Sequence, residues 1–167
     1  AELRLSLLTP VVKGWNTETA QEVTSLGVQI HGGMGYVEET GAAQHMRDAR
    51  ILPIYEGTTG IQALDFAGRK VLGDEGRESK SLIGELRNTC DAMEKDDGLQ
   101  SVGRDVRWGL DQLEQGVDWL LGKAKDDPAT IGTASVNLLM LAGIVFGGAF
   151  LAKATLASRS DEGGVDA

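Results

Sequence analysis

The amino-acid sequence predicts an all-α protein, a helical bundle followed by a second helical unit, and three observations predict it. Apolar residues recur at the i, i+3, i+4, i+7 spacing of amphipathic helices through most of the chain. No stretch alternates apolar and polar residues for long enough to make a sheet, and there is no internal repeat. A charged, apolar-free, glycine-punctuated segment, Gly73 to Lys80, separates two stretches of different character.

Taken in order, Leu3, Leu5, Leu7, Leu8, Val11, Val12 and Trp15 open the chain at largely helical spacing with no capping residue ahead of them, so the chain is expected to begin inside a helix. Asn16 and Thr17 mark a break or a new N-cap, and Thr19, Ala20, Val23, Leu26, Gly27 and Ile30 predict helix from about Thr17 to Ile30. Gly32 to Gly41 is too glycine-rich for a regular element and reads as a loop. Ala42 to Ala49 reads as a short helix, and Pro53 restricts the residue before it to extended backbone. A turn, Tyr55-Glu56-Gly57-Thr58, follows, with Thr58 or Thr59 placed to cap a helix that runs through Ile61, Leu64, Phe66, Ala67, Val71 and Leu72.

The first unit is therefore expected over 1–72, a linker over 73–80, a second unit over 81–160 and a frayed tail over 161–167. In the second unit Leu82, Leu86, Cys90 and Met93 make one amphipathic helix, and Leu99, Val102, Val106, Leu110, Leu113, Val117, Leu120 and Leu121 make a longer one. Asp126, Asp127 and Pro128 close it. The last element then runs uncharged from Pro128 to Ala152, longer than the roughly 20 residues that span a bilayer, with Gly143 and Gly147 forming a small-xxx-small pair. Ser135 and Asn137 inside the run, and the lack of flanking aromatic belts, favour instead the central helix of a soluble bundle, buried by the two amphipathic helices before it. No membrane span is expected.

Composition narrows the function. The 167 residues carry 16 basic and 25 acidic side chains, a net charge of −9, and no basic cluster, which argues against nucleic acid or an anionic membrane as partner. One cysteine, Cys90, closes no disulfide within the chain, and two histidines with one cysteine make no zinc-ligand set. With no secretion signal read at its start, a cytoplasmic location is expected. Glycine is abundant, 23 residues, and five of them fall between Gly27 and Gly41.

Two places carry chemistry. The string Gly32-Gly33-Met34-Gly35 follows a helix and not a strand and lacks a lysine, which excludes dinucleotide and P-loop fingerprints, yet its glycines let backbone N–H groups approach a ligand. Glu56 emerges at a turn behind Ile51, Leu52, Pro53 and Ile54, where desolvation would favour the protonated form and suit a general base; an exposed turn glutamate is the other reading. His31 and His45 are expected to be structural.

Read together, Val28-Gln29-Ile30-His31-Gly32-Gly33-Met34-Gly35-Tyr36, Arg47-Asp48-Ala49, Ile54-Tyr55-Glu56-Gly57-Thr58 and Ile61-Gln62 resemble the C-terminal helical domain of the acyl-CoA dehydrogenase flavoproteins. The chain beyond Gly73 resembles the C-terminal extension of a bacterial branch of that family. The resemblance implies α,β-dehydrogenation of an acyl-CoA thioester with FAD as cofactor, and it puts Glu56 at the position of the catalytic base. It implies that the Glu56 N–H polarises the thioester carbonyl, that Gln29, Gly32, Gly33 and Thr58 contact FAD, and that Tyr55 and Gly57 contact substrate. Arg47 and Asp48 are expected to fix the local fold. It further implies a homodimer or homotetramer that shares the FAD site, and an electron-transfer flavoprotein as acceptor. On this reading the chain is a C-terminal fragment of a larger enzyme, inactive alone. The competing expectation is a non-catalytic helical assembly module.

Overall fold

The structure, a computed structural model, describes residues 1–162, and among them it contains helices and turns but no strand. The first helix, α1 (Glu2–Ile30), is continuous through the expected break. Thr17 does not cap a new helix, because its hydroxyl donates back to the Lys13 carbonyl at 2.8 Å, one turn earlier in the same helix.

The segment expected as a loop from Gly32 to Gly41 contains a one-turn helix, α2 (Gly33–Tyr36), and a 3-10 turn over Glu38–Thr40. Two contacts compact it. Thr40 Oγ1 donates to the Met34 carbonyl at 2.7 Å, and Gly35 lies so close to α1 that a Cβ there would stand 2.2 Å from the Val28 carbonyl oxygen. The short helix α3 spans Ala42–Ala49, as its sequence suggests. Gln21 of α1 holds α3's last residue, donating to the Ala49 carbonyl at 2.5 Å.

Thr58 is the N-cap of α4 (Thr59–Leu64), its hydroxyl accepting from the Ile61 N–H. The helix then widens to π-helical turns over Asp65–Leu72. Phe66 and Val71, five residues apart, both turn to the core there, the spacing that i→i+5 bonding brings into line.

The expected linker is shorter than 73–80. Glu75 and Gly76 take left-handed backbone, with φ of 60° and 73°, and Asp74 accepts from the Glu78 N–H at 2.9 Å, so Arg77 to Lys80 already belong to α5 (Arg77–Met93). Then come α6 (Gln100–Asp126) and α7 (Ala129–Glu162). Of the expected tail, residues 161 and 162 complete α7 and 163–167 lie outside the described residues. One core runs through both stretches, joining Leu7, Val11 and Phe66 to Leu82, Leu86, Leu113, Leu120 and Leu139.

α7 is long and apolar enough to cross a membrane by length and composition, and 44% of its most apolar window is buried inside the protein. The burial expected all round this helix is found on one side only. It packs on α1, α4, α5 and α6, while Val136, Ile144 and Leu151 face outward. Gly143 and Gly147 form a seat for an indole: a Cβ on Gly143 would come 2.2 Å from Cγ of Trp15.

Candidate functional site

The chain climbs to Glu56 through a run of tight turns, with Ile54 and Tyr55 N–H groups both donating to the Ile51 carbonyl at 3.0 and 3.2 Å. Glu56 then takes φ 55° and Gly57 φ 88°. A left-handed glutamate is uncommon, costs on the order of 1–3 kcal/mol, and persists only where its surroundings enforce it. Gly57 fills a glycine's role: a Cβ there would lie 2.9 Å from Gln62 Nε2, besides the positive φ.

Side chains from outside the turn enforce it. Lys13, on α1, donates to the Gly57 carbonyl, and Gln62, on α4, donates to the Glu56 carbonyl at 3.0 Å. Thr59 Oγ1 donates to Glu18, one turn beyond Lys13 on α1, at 2.5 Å. Both peptide units that flank Gly57 are thereby fixed by their carbonyls. Among the described residues, nothing bonds the Glu56 carboxylate and nothing accepts from its N–H. Glu56 therefore presents an acceptor and a backbone donor, both free, on a turn whose frame is held.

Glu56 and Tyr55 are exposed, so the desolvation expected from the apolar run upstream is not supplied by this chain's own residues. The apolar grooves lie elsewhere, along α6 and α7, with volumes of about 350 and 510 Å³ lined by Trp119, Leu138 and Leu141 and by Trp108, Ile144 and Val145. They hold no carboxylate except Asp105.

Gln29, Gly32 and Gly33 form a second cluster at the far end of α1. Gln29 is exposed, Gly32 has φ 60° and ψ −143°, which only glycine adopts readily, and a Cβ on Gly32 or Gly33 would meet nothing within 4 Å. These two glycines leave the backbone open, whereas Gly35 is required for packing. Tyr55, Glu56, Gly57 and Thr58 share one turn. From Lys13, which holds that turn, to Gln29 the helix advances sixteen residues, roughly 24 Å, so one chain sets the turn beside the middle of α1 and the Gln29 cluster at its C-terminal end, and does not bring them together. His31 Nδ1 pairs with the Gly27 carbonyl at 2.8 Å, and Arg47 and Asp48 bond Gln44, with Glu38 3.3 Å from Arg47.

Sequence reasoning missed Lys13 and Glu18 and gave Gln62 no role. Nothing in the sequence marks Lys13 and Glu18, which lie far from the turn on a helix that also carries Glu2, Arg4 and Glu22.

The chain belongs to the acyl-CoA dehydrogenase family: residues 2–71 match its model "Acyl-CoA dehydrogenase, C-terminal domain" and residues 82–167 match "Acetyl-CoA dehydrogenase C-terminal like". It is 45% identical to the 3-methylmercaptopropionyl-CoA dehydrogenase of Ruegeria pomeroyi over 96% of this chain and 28% of that protein. It is 34% identical to acyl-CoA dehydrogenase family member 11 of Caenorhabditis elegans over 74% of this chain and 19% of that one. A third relative, the mitochondrial short-chain specific acyl-CoA dehydrogenase of Sus scrofa, is 56% identical over 31% of this chain and 13% of its own length. The chain thus spans less than a third of each of these relatives.

Proposed function

We propose that the chain is the C-terminal part of an FAD-dependent acyl-CoA dehydrogenase and that Glu56 is its catalytic base. The observation that carries this reading is the held left-handed turn with an unbonded carboxylate and N–H on the same residue. In the reaction the Glu56 carboxylate takes the α-proton of the thioester, and the Glu56 N–H donates to the thioester carbonyl, where negative charge develops. FAD, when bound, would supply the acceptor for the β-hydrogen and its electron pair. Tyr55 and Gly57 border the acyl group.

The fit of FAD rests on two features. The open backbone at Gly32 and Gly33, with Gln29 beside it, suits close approach of a phosphate-bearing group, and the Thr58 hydroxyl, which only accepts within the chain, keeps its proton to donate. The distance between the two clusters suits a cofactor shared between subunits, hence a homodimer or homotetramer, with electrons passing to an electron-transfer flavoprotein. The similarity to 3-methylmercaptopropionyl-CoA dehydrogenase makes a short thioether acyl-CoA the first substrate to try.

The test uses the full-length protein, with FAD bound, mixed without oxygen with a panel of short and medium acyl-CoAs. The flavin is expected to bleach, and Glu56→Gln to keep FAD and lose bleaching. A variant that bleaches at the normal rate removes Glu56 as base. The exposed apolar grooves along α6 and α7 favour a second reading, a non-catalytic assembly module, which becomes first if the full-length protein is colourless and cannot be reconstituted with FAD.

A further inference from the structure

The Glu56–Gly57 turn occupies backbone geometry that an isolated chain rarely keeps, so something outside the turn must select it. The one bond that reaches Gly57 from another part of the fold comes from Lys13, forty-four residues earlier. Lys13 is half-buried, and among the described residues it has no carboxylate partner, so its ammonium is committed to that carbonyl. A charged donor on a neutral acceptor makes a bond about twice as strong as a neutral pair.

The amine is also held at a fixed place. Gly14 beside it fits against Leu139, a Cβ there standing 2.8 Å from Cδ2, and Trp15 seats on Gly143 and Gly147. The segment of α1 that carries Lys13 is therefore registered by α7.

We infer that Lys13 is a positioning residue for the base: its ammonium holds the Gly57 carbonyl and with it the left-handed turn that presents the Glu56 carboxylate. This rests on the reading of Glu56 as base. Gln62 fixes the preceding carbonyl from the other side, and Lys13 alone ties the turn to α1 through Gly57.

The experiment follows anaerobic flavin bleaching in the full-length FAD-loaded protein, using the acyl-CoA that bleaches the wild type fastest. Lys13→Met is expected to keep FAD, to leave the half-saturating acyl-CoA concentration little changed, and to lower the limiting rate about 10- to 100-fold, the cost of a reacting group misplaced by about 1 Å. Lys13→Arg, which restores a charged donor, is expected to recover most of the rate. The inference is overturned if Lys13→Met bleaches at the wild-type rate, or if Lys13→Arg keeps FAD and is as slow as Lys13→Met. Should Lys13→Met lose FAD, Lys13→Gln replaces it with the same expectation; loss of FAD in both overturns the inference, since the lysine then holds the domain and not the turn. Failure of the underlying reading looks different: the wild type does not bleach, or Glu56→Gln bleaches normally.

Discussion

In the α5–α6 pair the buried positions other than Ser79 and Gly103 are filled from the helices' own apolar stripe, Leu82, Leu86 and Cys90 against Leu110, Leu113 and Val117, and charged side chains close the seam from outside. Arg87 meets Asp111 and Glu114 at 2.5 and 2.7 Å, Arg107 meets Asp91 and Glu94 at 2.6 and 2.8 Å, and Lys80 meets Asp118 at 2.6 Å. The Tyr55–Thr58 turn has neither support. Its residues are mostly exposed, two of them are left-handed, and single side chains from α1 and α4 hold it. Many small contacts define the pair, so losing one is tolerable, whereas the turn depends on a few bonds whose loss changes geometry at once. Stability and chemistry should therefore respond to different substitutions.

The largest effect separating them is expected at Gly143. A valine there drives its side chain into Trp15, whose Cγ would stand 2.2 Å from the new Cβ, in a core that has no room to yield. Overpacking of this kind costs about 1–3 kcal/mol, sometimes more. Gly143→Val should lower the urea midpoint of this chain clearly, and an unchanged midpoint would mean that α1 and α7 pack more loosely than their contacts indicate.

Gly57→Ala should do the reverse. Alanine at φ 88° costs about 1–2 kcal/mol locally and meets Gln62 Nε2, so the turn gives way while the buried core is untouched. Flavin bleaching in the full-length protein should fall at least as far as in Lys13→Met, with a smaller change in unfolding midpoint than Gly143→Val produces. Equal loss of stability in the two variants would show that turn and bundle unfold as one unit.

The same contrast explains what could be read from sequence. Helical periodicity gave α3 and α6 nearly to the residue and α5 along its buried face, Leu82, Leu86, Cys90 and Met93, while the charged first turn of α5, Arg77 to Lys80, read as linker. Glu56 and Gly57 were visible as a motif, since an unusual turn needs unusual residues. What holds that motif was invisible: Lys13 is distant in sequence, and a lysine on a helix normally reads as solvated. The break expected at Thr17 failed for a related reason, because a threonine hydroxyl that bonds back to Lys13 inside a helix looks, in sequence, like a cap. The small-xxx-small pair in α7 matched a membrane pattern, but only the folded chain shows that Trp15 occupies it.

The smallest expected effect lies where three helices are tied by charge. Glu85 of α5 accepts from Arg4 of α1 at 2.8 Å and from Lys153 of α7 at 3.1 Å. The Arg4 hydrogen bond first, and Lys153 second, hold the Glu85 carboxyl below the usual carboxylate range. A folded value below the unfolded one means that the pair stabilises the fold above about pH 4.3 and that this contribution drains as pH falls through the folded value. Glu85 is about half exposed, so solvent screening keeps the whole effect under about 1 kcal/mol. Glu85→Gln should therefore lower the urea midpoint slightly at pH 7 and by less at pH 3, where the wild-type carboxylate is itself losing its charge. Because Arg4 also pairs with Glu78 at 2.6 Å, the guanidinium keeps a partner in the variant, and α1 stays attached to α5. A large loss at neutral pH would instead mean that this bridge, and not the apolar core shared by α1, α5 and α7, sets the position of α1 and so of Lys13.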